Sequence, residues 1–230
     1  MEHLSDIELY FIPSELIRSE ELTLEGEEFH HAVNVMRHSV GDILFVTDGE
    51  GSIFKCKIIL VNKTELSAQI IDRQQSENKL KNIWFCIPVL KNPDRLKFAF
   101  EKCVELGITN FILFTSRRSI PQKINPDKYR KTALAAMKQS LRTFLPNIIS
   151  ASFTEIADLS GNKILFDQKS EKIFDGRMNL NELTYFIFGP EGGFDESEIN
   201  TMSADNRYSL ATNRLRSETA ILKCASLLIL

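Results

Sequence analysis

The sequence is poor in cysteine, and no two cysteines form a C-x-x-C pair. Most of these side chains lie in apolar runs, so we expect reduced, buried thiols rather than disulfides or zinc ligands. No apolar run reaches the roughly 18 residues that a membrane span needs. The first residues lack the basic start and the apolar segment of a signal peptide. We therefore expect a cytoplasmic protein with no membrane contact. The four thiols are Cys56, Cys86, Cys103 and Cys224.

The motifs of several common enzyme classes are also missing. The chain has no G-x-S-x-G elbow, no H-E-x-x-H, no Walker-type phosphate loop and no G-x-G-x-x-G after the first strand of its α/β part. His30, His31 and His38 make a poor metal site, because adjacent helix positions point about 100° apart and no carboxylate or cysteine stands at ligand spacing. The sequence predicts no bound metal.

The charge is divided unevenly along the chain, although the net charge is only −3. Residues 1–78 carry 6 basic and 15 acidic side chains, residues 79–142 carry 14 and 4, and residues 143–230 carry 8 and 12. The middle segment is therefore a basic block in an acidic protein. Such a block favours a polyanionic partner, because basic side chains that neutralise phosphates release counterions. The alternative is a set of solvated helix faces.

The first third of the chain reads as a small β-rich module that curls into a barrel. Asp48–Gly51 is a hairpin signal between two of its strands. We place the domain at residues 1–73 and a polar linker at residues 74–81, where the charge balance changes sign. The predicted strands are Ile7–Ile12, Ile43–Thr47, Ser52–Leu60 and Glu65–Ile71, with one helix over Gly26–Met36 whose buried stripe includes Phe29 and Met36.

From residue 82 to residue 230 the pattern changes to alternating strands and helices. The segment Ile83–Val89, Pro93–Leu106, Asn110–Phe114 reads as a β-α-β unit, which requires a parallel sheet. The second helix is predicted over Pro126–Arg142. Further strands are predicted at Ile148–Ala151, Lys163–Phe166 and Tyr185–Phe188.

A glycine-rich loop after the last predicted strand is the most informative stretch. Gly189–Gly193 contains three glycines and one proline, so its backbone is bare of side chains. Asp195 and Glu198 then read as the capping box of a helix. Such a loop at the end of a strand is either a structural turn or a ligand-binding loop.

Several motifs stand out along the chain: Gly189–Phe194, Leu210–Ala220, Glu101–Gly107 with Ser116–Ser119, Lys138–Arg142 with Pro146, Val35–Asp42 and Asp48–Gly51. Together these motifs resemble the ribosomal RNA small subunit methyltransferase E family of the SPOUT class. The resemblance implies an α/β methyltransferase domain with a parallel sheet and a trefoil knot, preceded by a small PUA-like β-barrel that binds RNA. It also implies methylation of N3 of a uridine in 16S rRNA, S-adenosylmethionine as cofactor, and a homodimer formed through the knot region.

The resemblance also implies the residues of the site. Arg142 and Arg216 would stabilise the anion that develops on the uracil, and Glu218 would orient the base or accept a proton. Alternatively, Glu218 satisfies N–H groups in the first turn of its helix. The cofactor would contact Phe188, Gly189, Pro190, Glu191, Gly192, Gly193, Leu210, Ala211 and Leu215, and RNA phosphates would contact Arg37, Lys91, Arg95, Arg117 and Arg118.

Two positions depart from the family pattern. Ala211 stands where a glycine is usual, and Asn213 stands where many members have arginine. If position 211 requires a positive φ, alanine strains the loop and weakens cofactor binding. One rival function is a non-catalytic RNA-binding or ribosome-assembly protein of this fold that has lost cofactor affinity through Ala211. A further alternative is a SPOUT methyltransferase that acts on tRNA.

Overall fold

The computed structural model describes residues 7–119 and 124–229. It divides the chain into two compact units. The first contains the residues up to Asn78 together with Met137–Leu145, and the second contains Lys79–Ala136 and the chain from Pro146 onward. The sequence analysis placed Met137–Leu145 in the second domain, residues 82–230, whereas the structure places this segment in the first unit. None of the described helices is long and apolar enough to cross a membrane.

The first unit is built on a six-stranded sheet in the order β1-β4-β5-β6-β3-β2. β1 and β4 are parallel, and the other neighbours are antiparallel. β6 extends through the first two residues of the predicted linker. The elements are β1 (Leu9–Phe11), β2 (Ile17–Arg18), β3 (Glu21–Glu25), α1 (Gly26–His30), β4 (Ile43–Thr47), β5 (Ser52–Val61) and β6 (Glu65–Gln75).

Alternation of apolar and polar residues forms this sheet around one core. Tyr10 on β1 and Leu22 and Leu24 on β3 are buried in the same cluster, although their strands lie far apart in the sheet order. The sheet therefore curls, as a barrel-like module requires. The sequence prediction missed β3, although Glu-Leu-Thr-Leu-Glu alternates with the period of a strand.

The helix predicted over Gly26–Met36 is wrong in its second half. α1 ends at His30, and a π-helical turn continues over His31–Val35. The backbone N–H of Met36 donates to the carbonyl of His31 at 2.9 Å. Because a π turn holds more residues than an α turn, it moves the side chains that follow out of the buried stripe. Phe29 is buried as predicted, but Met36 is 45% exposed.

The second unit is built on a six-stranded sheet in the order β12-β10-β11-β7-β8-β9, in which all neighbours are parallel. This confirms the predicted α/β class with a parallel sheet; the trefoil knot stays a prediction. The elements are β7 (Ile83–Pro88), α2 (Pro93–Glu105), β8 (Asn110–Thr115), α3 (Pro126–Gln139, whose end belongs to the first unit), β9 (Asn147–Ser152), α4 (Phe153–Asp158), β10 (Asn162–Phe166), β11 (Thr184–Phe188), α5 (Glu196–Asn200), β12 (Arg207–Tyr208) and α6 (Ser217–Leu227).

Aromatic packing supports the centre of this sheet. All five residues of β11 are buried, as expected for a parallel strand covered on both faces. Phe188 at its end stacks on Phe166 of β10 with ring centroids 5.0 Å apart and lies 5.1 Å from the ring of Phe85 of β7. These contacts fix the ends of β10 and β11 side by side.

The helix predicted over Pro126–Arg142 ends three residues early, at Gln139. Leu141 adopts a left-handed conformation with φ +56°, and the N–H of Arg142 donates to the carbonyl of Met137 at 2.9 Å. Together with a 3.2 Å bond from the N–H of Leu141 to the carbonyl of Lys138, this is a Schellman motif. Arg142 therefore lies just beyond the helix.

The chain after this motif pairs with the hairpin of the first unit. The N–H of Gly51 donates to the carbonyl of Thr143 at 2.9 Å, and the N–H of Leu145 donates to the carbonyl of Gly49 at 2.8 Å. Gly51 has φ +110°, and a Cβ there would lie 2.6 Å from the ring of Phe144. Glycine is therefore required at position 51 for two independent reasons.

We expect Gly51→Ala to destabilise the first unit more than Gly41→Ala. Gly41 also has a positive φ, +99°, but a Cβ there meets nothing within 4 Å. Each substitution should cost about 1–3 kcal/mol of backbone strain, and Gly51→Ala should cost about 1–3 kcal/mol more because it overpacks against Phe144. Urea unfolding measures both. Equal losses would show that the close approach of Phe144 does not constrain position 51.

Candidate functional site

A cavity of about 770 Å³ lies in the second unit, at the carboxyl edge of the parallel sheet. Its walls come from the chain that follows β10, β11 and β12 and from the start of α6. The strands β8 and β9 lie on one side of β7, and the later strands β11, β10 and β12 lie on its other side. The order of the strands therefore reverses between β7 and β11, next to the cavity. Open parallel sheets bind ligands at this kind of position.

The cavity brings together all nine residues that the sequence predicted as cofactor contacts, and one of the predicted catalytic arginines. They come from two loops about twenty residues apart in the chain, as the sequence placed them. Their contact with a cofactor stays a prediction. The residues are Phe188, Gly189, Pro190, Glu191, Gly192, Gly193, Leu210, Ala211 and Leu215, with Arg216.

The glycine-rich loop presents bare backbone to this cavity. Gly193 has φ +70°, and its N–H donates to the carbonyl of Pro190 at 2.8 Å. The hydroxyl of Ser217, at the start of α6, donates to the carbonyl of Gly189 at 2.7 Å. A Cβ at Gly189 would lie 3.2 Å from the ring of Phe194. The loop is thus bonded to the start of α6, and its three glycines place no side chain between their backbone and the cavity.

The structure resolves the question raised by Ala211. Among the described residues, the non-glycine positions with positive φ are Ser19, Arg37 and Leu141. Ala211 is not one of them, so alanine causes no backbone strain there. The condition for strain, a positive φ at position 211, is therefore not met.

The predicted phosphate contacts Arg117 and Arg118 lie beside the glycine-rich loop. Arg118 lines the cavity, and its Nη1 donates to the carbonyl of Gly192 at 3.4 Å. Asp195 lies 3.8 Å from Nη1 of Arg117 and 3.6 Å from Nη2 of Arg118. Hydrogen bonds from Ser197, followed by the charges of both arginines, hold the pKa of Asp195 below its usual value. Both guanidinium groups therefore share one carboxylate.

Two other predicted phosphate contacts have carboxylate partners in the second unit. Nε of Arg95 lies 3.7 Å from Oε1 of Glu218. The backbone N–H of Lys91 donates to Oε1 of Glu191 at 3.0 Å, which holds that carboxylate at the cavity wall. Arg95 thus forms an ion pair, and Lys91 contributes its backbone, in addition to any contact with RNA.

The predicted catalytic residues are divided between the two units. Arg216 precedes the first turn of α6, and no carboxylate in the described part of the chain pairs with Arg214 or Arg216. Oε2 of Glu218 is buried and has no hydrogen-bond partner among the described residues. Arg142 belongs to the first unit, and so does Arg37, which is exposed with φ +61°.

The sequence prediction missed one wall of the cavity, the residues Asp167, Gln168 and Lys169 after β10. β10 and β11 are parallel neighbours, so the chain after each strand emerges at the same edge. Recognising that pairing from the two apolar runs would have found this wall. No group of three or more His, Cys, Asp or Glu side chains in residues 7–119 and 124–229 is arranged to hold a metal ion.

Comparison with known proteins agrees with this architecture. A model of the RNA methyltransferase domain matches residues 76–229, and a model of the RNA methyltransferase PUA domain matches residues 24–71. Ribosomal RNA small subunit methyltransferase E of Bacillus subtilis is 27% identical over 224 residues, which cover 89% of this chain and 88% of that protein. The protein of the same name from Aquifex aeolicus is 28% identical over 213 residues, with 89% and 92% covered.

A solved structure is similar over nearly the full length. The crystal structure of a ribosomal RNA small subunit methyltransferase E from Neisseria gonorrhoeae, bound to S-adenosyl methionine, superposes with a TM-score of 0.82. It is 23% identical in sequence and covers 96% of this chain and 95% of that one, so it shows the shared fold. The two domain matches span both units, and this chain belongs to the RNA methyltransferase family, in the group of ribosomal RNA small subunit methyltransferase E that its motifs resemble.

Proposed function

We propose that this protein methylates N3 of a uridine in 16S rRNA of the small ribosomal subunit, with S-adenosylmethionine as the methyl donor. The observation that carries the proposal is the single cavity in which both predicted cofactor loops meet. The names of its relatives support an rRNA substrate. The uridine and its N3 atom come from the sequence resemblance.

The cavity fits S-adenosylmethionine in size and chemistry. Its volume of about 770 Å³ lies within the ~300–1,000 Å³ typical of small-molecule sites. Phe188, Leu210 and Leu215 offer apolar surface to an adenine ring, and the backbone of Gly189–Gly193 offers N–H and C=O groups to its edge. When bound, the cofactor supplies a methyl group on a sulfonium.

Methyl transfer to N3 needs a uracil that is aligned and has lost its N3 proton. Arg216, whose charge no described carboxylate compensates, stabilises negative charge on the uracil oxygens. Glu218 has one buried carboxylate oxygen without a partner, and such an acceptor can receive a hydrogen bond from the base. Arg142 supplies a second positive charge, and Arg37, Lys91, Arg95, Arg117 and Arg118 supply phosphate contacts.

We also propose a homodimer formed through the knot region, which sedimentation analysis can test.

Calorimetric titration with S-adenosylmethionine and mass spectrometry of rRNA nucleosides test the function. We expect micromolar binding of the cofactor and loss of 3-methyluridine from 16S rRNA in a deletion strain. No binding at millimolar cofactor would favour a non-catalytic RNA-binding protein. An unchanged 3-methyluridine level in rRNA, with a methylated nucleoside missing from tRNA, would favour the tRNA enzyme.

We expect Arg142→Ala to lower turnover by about 100-fold or more, in the range of a lost electrostatic contact in a transition state, and to leave cofactor affinity nearly unchanged. Arg18→Ala is the matched control, because it removes the same charge from an exposed position of the same unit. Methylation of a 16S rRNA fragment and calorimetry measure the two effects. A parallel loss of both would assign Arg142 a structural role.

We expect Gly193→Ala to weaken cofactor binding about fivefold, since a non-glycine residue in the left-handed region costs about 1–2 kcal/mol. The loop would relax away from its present φ of +70°, and binding would have to restore it. Ala211→Gly is the comparison, because position 211 has no positive φ to relieve. Its Kd should stay within about twofold of the wild type by calorimetry. A large gain in affinity for Ala211→Gly would show that alanine obstructs the cofactor.

A further inference from the structure

Glu198 is a buried carboxylate with more hydrogen bonds than its place in a capping box explains. The side chain belongs to a residue that is only 4% exposed. Oε2 accepts a bond from the backbone N–H of Asp195 at 2.9 Å, which completes the capping box. A capping box needs no further partner.

The remaining bonds of Glu198 reach the loop after β8, about eighty residues earlier in the chain. Oε2 also accepts a bond from the hydroxyl of Ser116 at 2.9 Å, and Oε1 accepts one from the backbone N–H of Arg117 at 2.9 Å. Ser116 is itself only 3% exposed. Buried hydrogen bonds to a charged acceptor are among the stronger ones in proteins.

These bonds fix the backbone of Arg117. The next residue, Arg118, lines the cavity. Arg118 lies across the glycine-rich loop, where its side chain contacts the carbonyl of Gly192 and its Cβ lies 3.4 Å from the position of a Cβ built on Gly192. The Ser116–Ser119 loop is thus bonded to Glu198 through Ser116 and Arg117, and its next residue, Arg118, lines the cavity.

We propose that Glu198 is a positioning residue for the cofactor cavity. It holds the Ser116–Ser119 loop so that Arg118 closes one side of the cavity over Gly192. Cofactor affinity therefore depends on a carboxylate that does not line the cavity. This inference rests on the proposed function, because the ligand of the cavity is S-adenosylmethionine in both.

Glu198→Gln separates this role from simple packing. Glutamine has the same shape but only one acceptor oxygen. The two backbone N–H groups of Arg117 and Asp195 approach different oxygens of Glu198, so one of them would face the amide NH₂ group. Glu196→Gln is the matched control, because it removes the same charge from the first turn of the same helix at an exposed position.

Amide hydrogen exchange of the cofactor-free protein is the first measurement. We expect the N–H of Arg117 or Asp195 to exchange about tenfold faster in Glu198→Gln and to be unchanged in Glu196→Gln. Calorimetry with S-adenosylmethionine is the second, and we expect Kd to rise about tenfold in Glu198→Gln alone. In an Arg118→Ala background, Glu198→Gln should cause no further loss, because both changes act through Arg118.

The outcomes separate the two proposals. A wild-type protein that does not bind S-adenosylmethionine overturns the proposed function. A wild-type protein that binds it, with equal Kd values for Glu198→Gln and Glu196→Gln, overturns the inference alone, as does unchanged exchange at both amides. If Glu198→Gln does not fold, Ser116→Ala replaces it. That variant removes one of the three bonds and should raise Kd about threefold, and an unchanged Kd there contradicts the inference.

Discussion

The parallel pairing of β10, β11 and β7 is the constraint on which the site depends. Parallel strands end at one edge, so the loops that follow them meet there whatever their distance in the chain. The five buried residues of β11 and the stacked rings of Phe166 and Phe188 leave these ends little freedom. A bare glycine-rich backbone at that edge can then approach a ligand closely.

Most of the arginines around the site that come from the basic block lie near a carboxylate, so the number of basic residues overstates the positive charge available to a ligand. The sequence showed a basic block over residues 79–142, yet Arg95, Arg117 and Arg118 from this block each lie near a carboxylate of the second unit. Arg214 and Arg216, which come from an acidic segment, pair with no carboxylate of the described chain. Net charge along the sequence therefore predicts a polyanionic partner but does not identify the residues available to it.

The predictable features were those that depend on local pattern. Nine of the twelve described strands follow from apolar runs and alternation, whereas β2, β3 and β12 were not predicted. The capping box at Asp195 and Glu198 follows from four consecutive residues. The ends of two helices did not follow. The π turn before Met36 and the left-handed Leu141 before Arg142 stand at positions with no glycine or proline to mark the end of a helix. The bonds of Glu198 to Ser116 and Arg117 join the chain after β11 to the chain after β8. A local window of sequence could not predict them, because the partners lie about eighty residues apart.

The hairpin at Gly49–Gly51 has a consequence for how the protein is made. The first unit includes Met137–Leu145, which reaches the hairpin through Gly51, Thr143 and Leu145. On the ribosome, the sheet that ends near Gln75 emerges well before the segment that completes it. At about 5–20 residues per second the delay is roughly 3–13 s. During that time the hairpin at Gly49 and Gly51 lacks the residues that contact it, Thr143–Leu145. The first unit is therefore completed only after α3, which the second unit begins, has been synthesised.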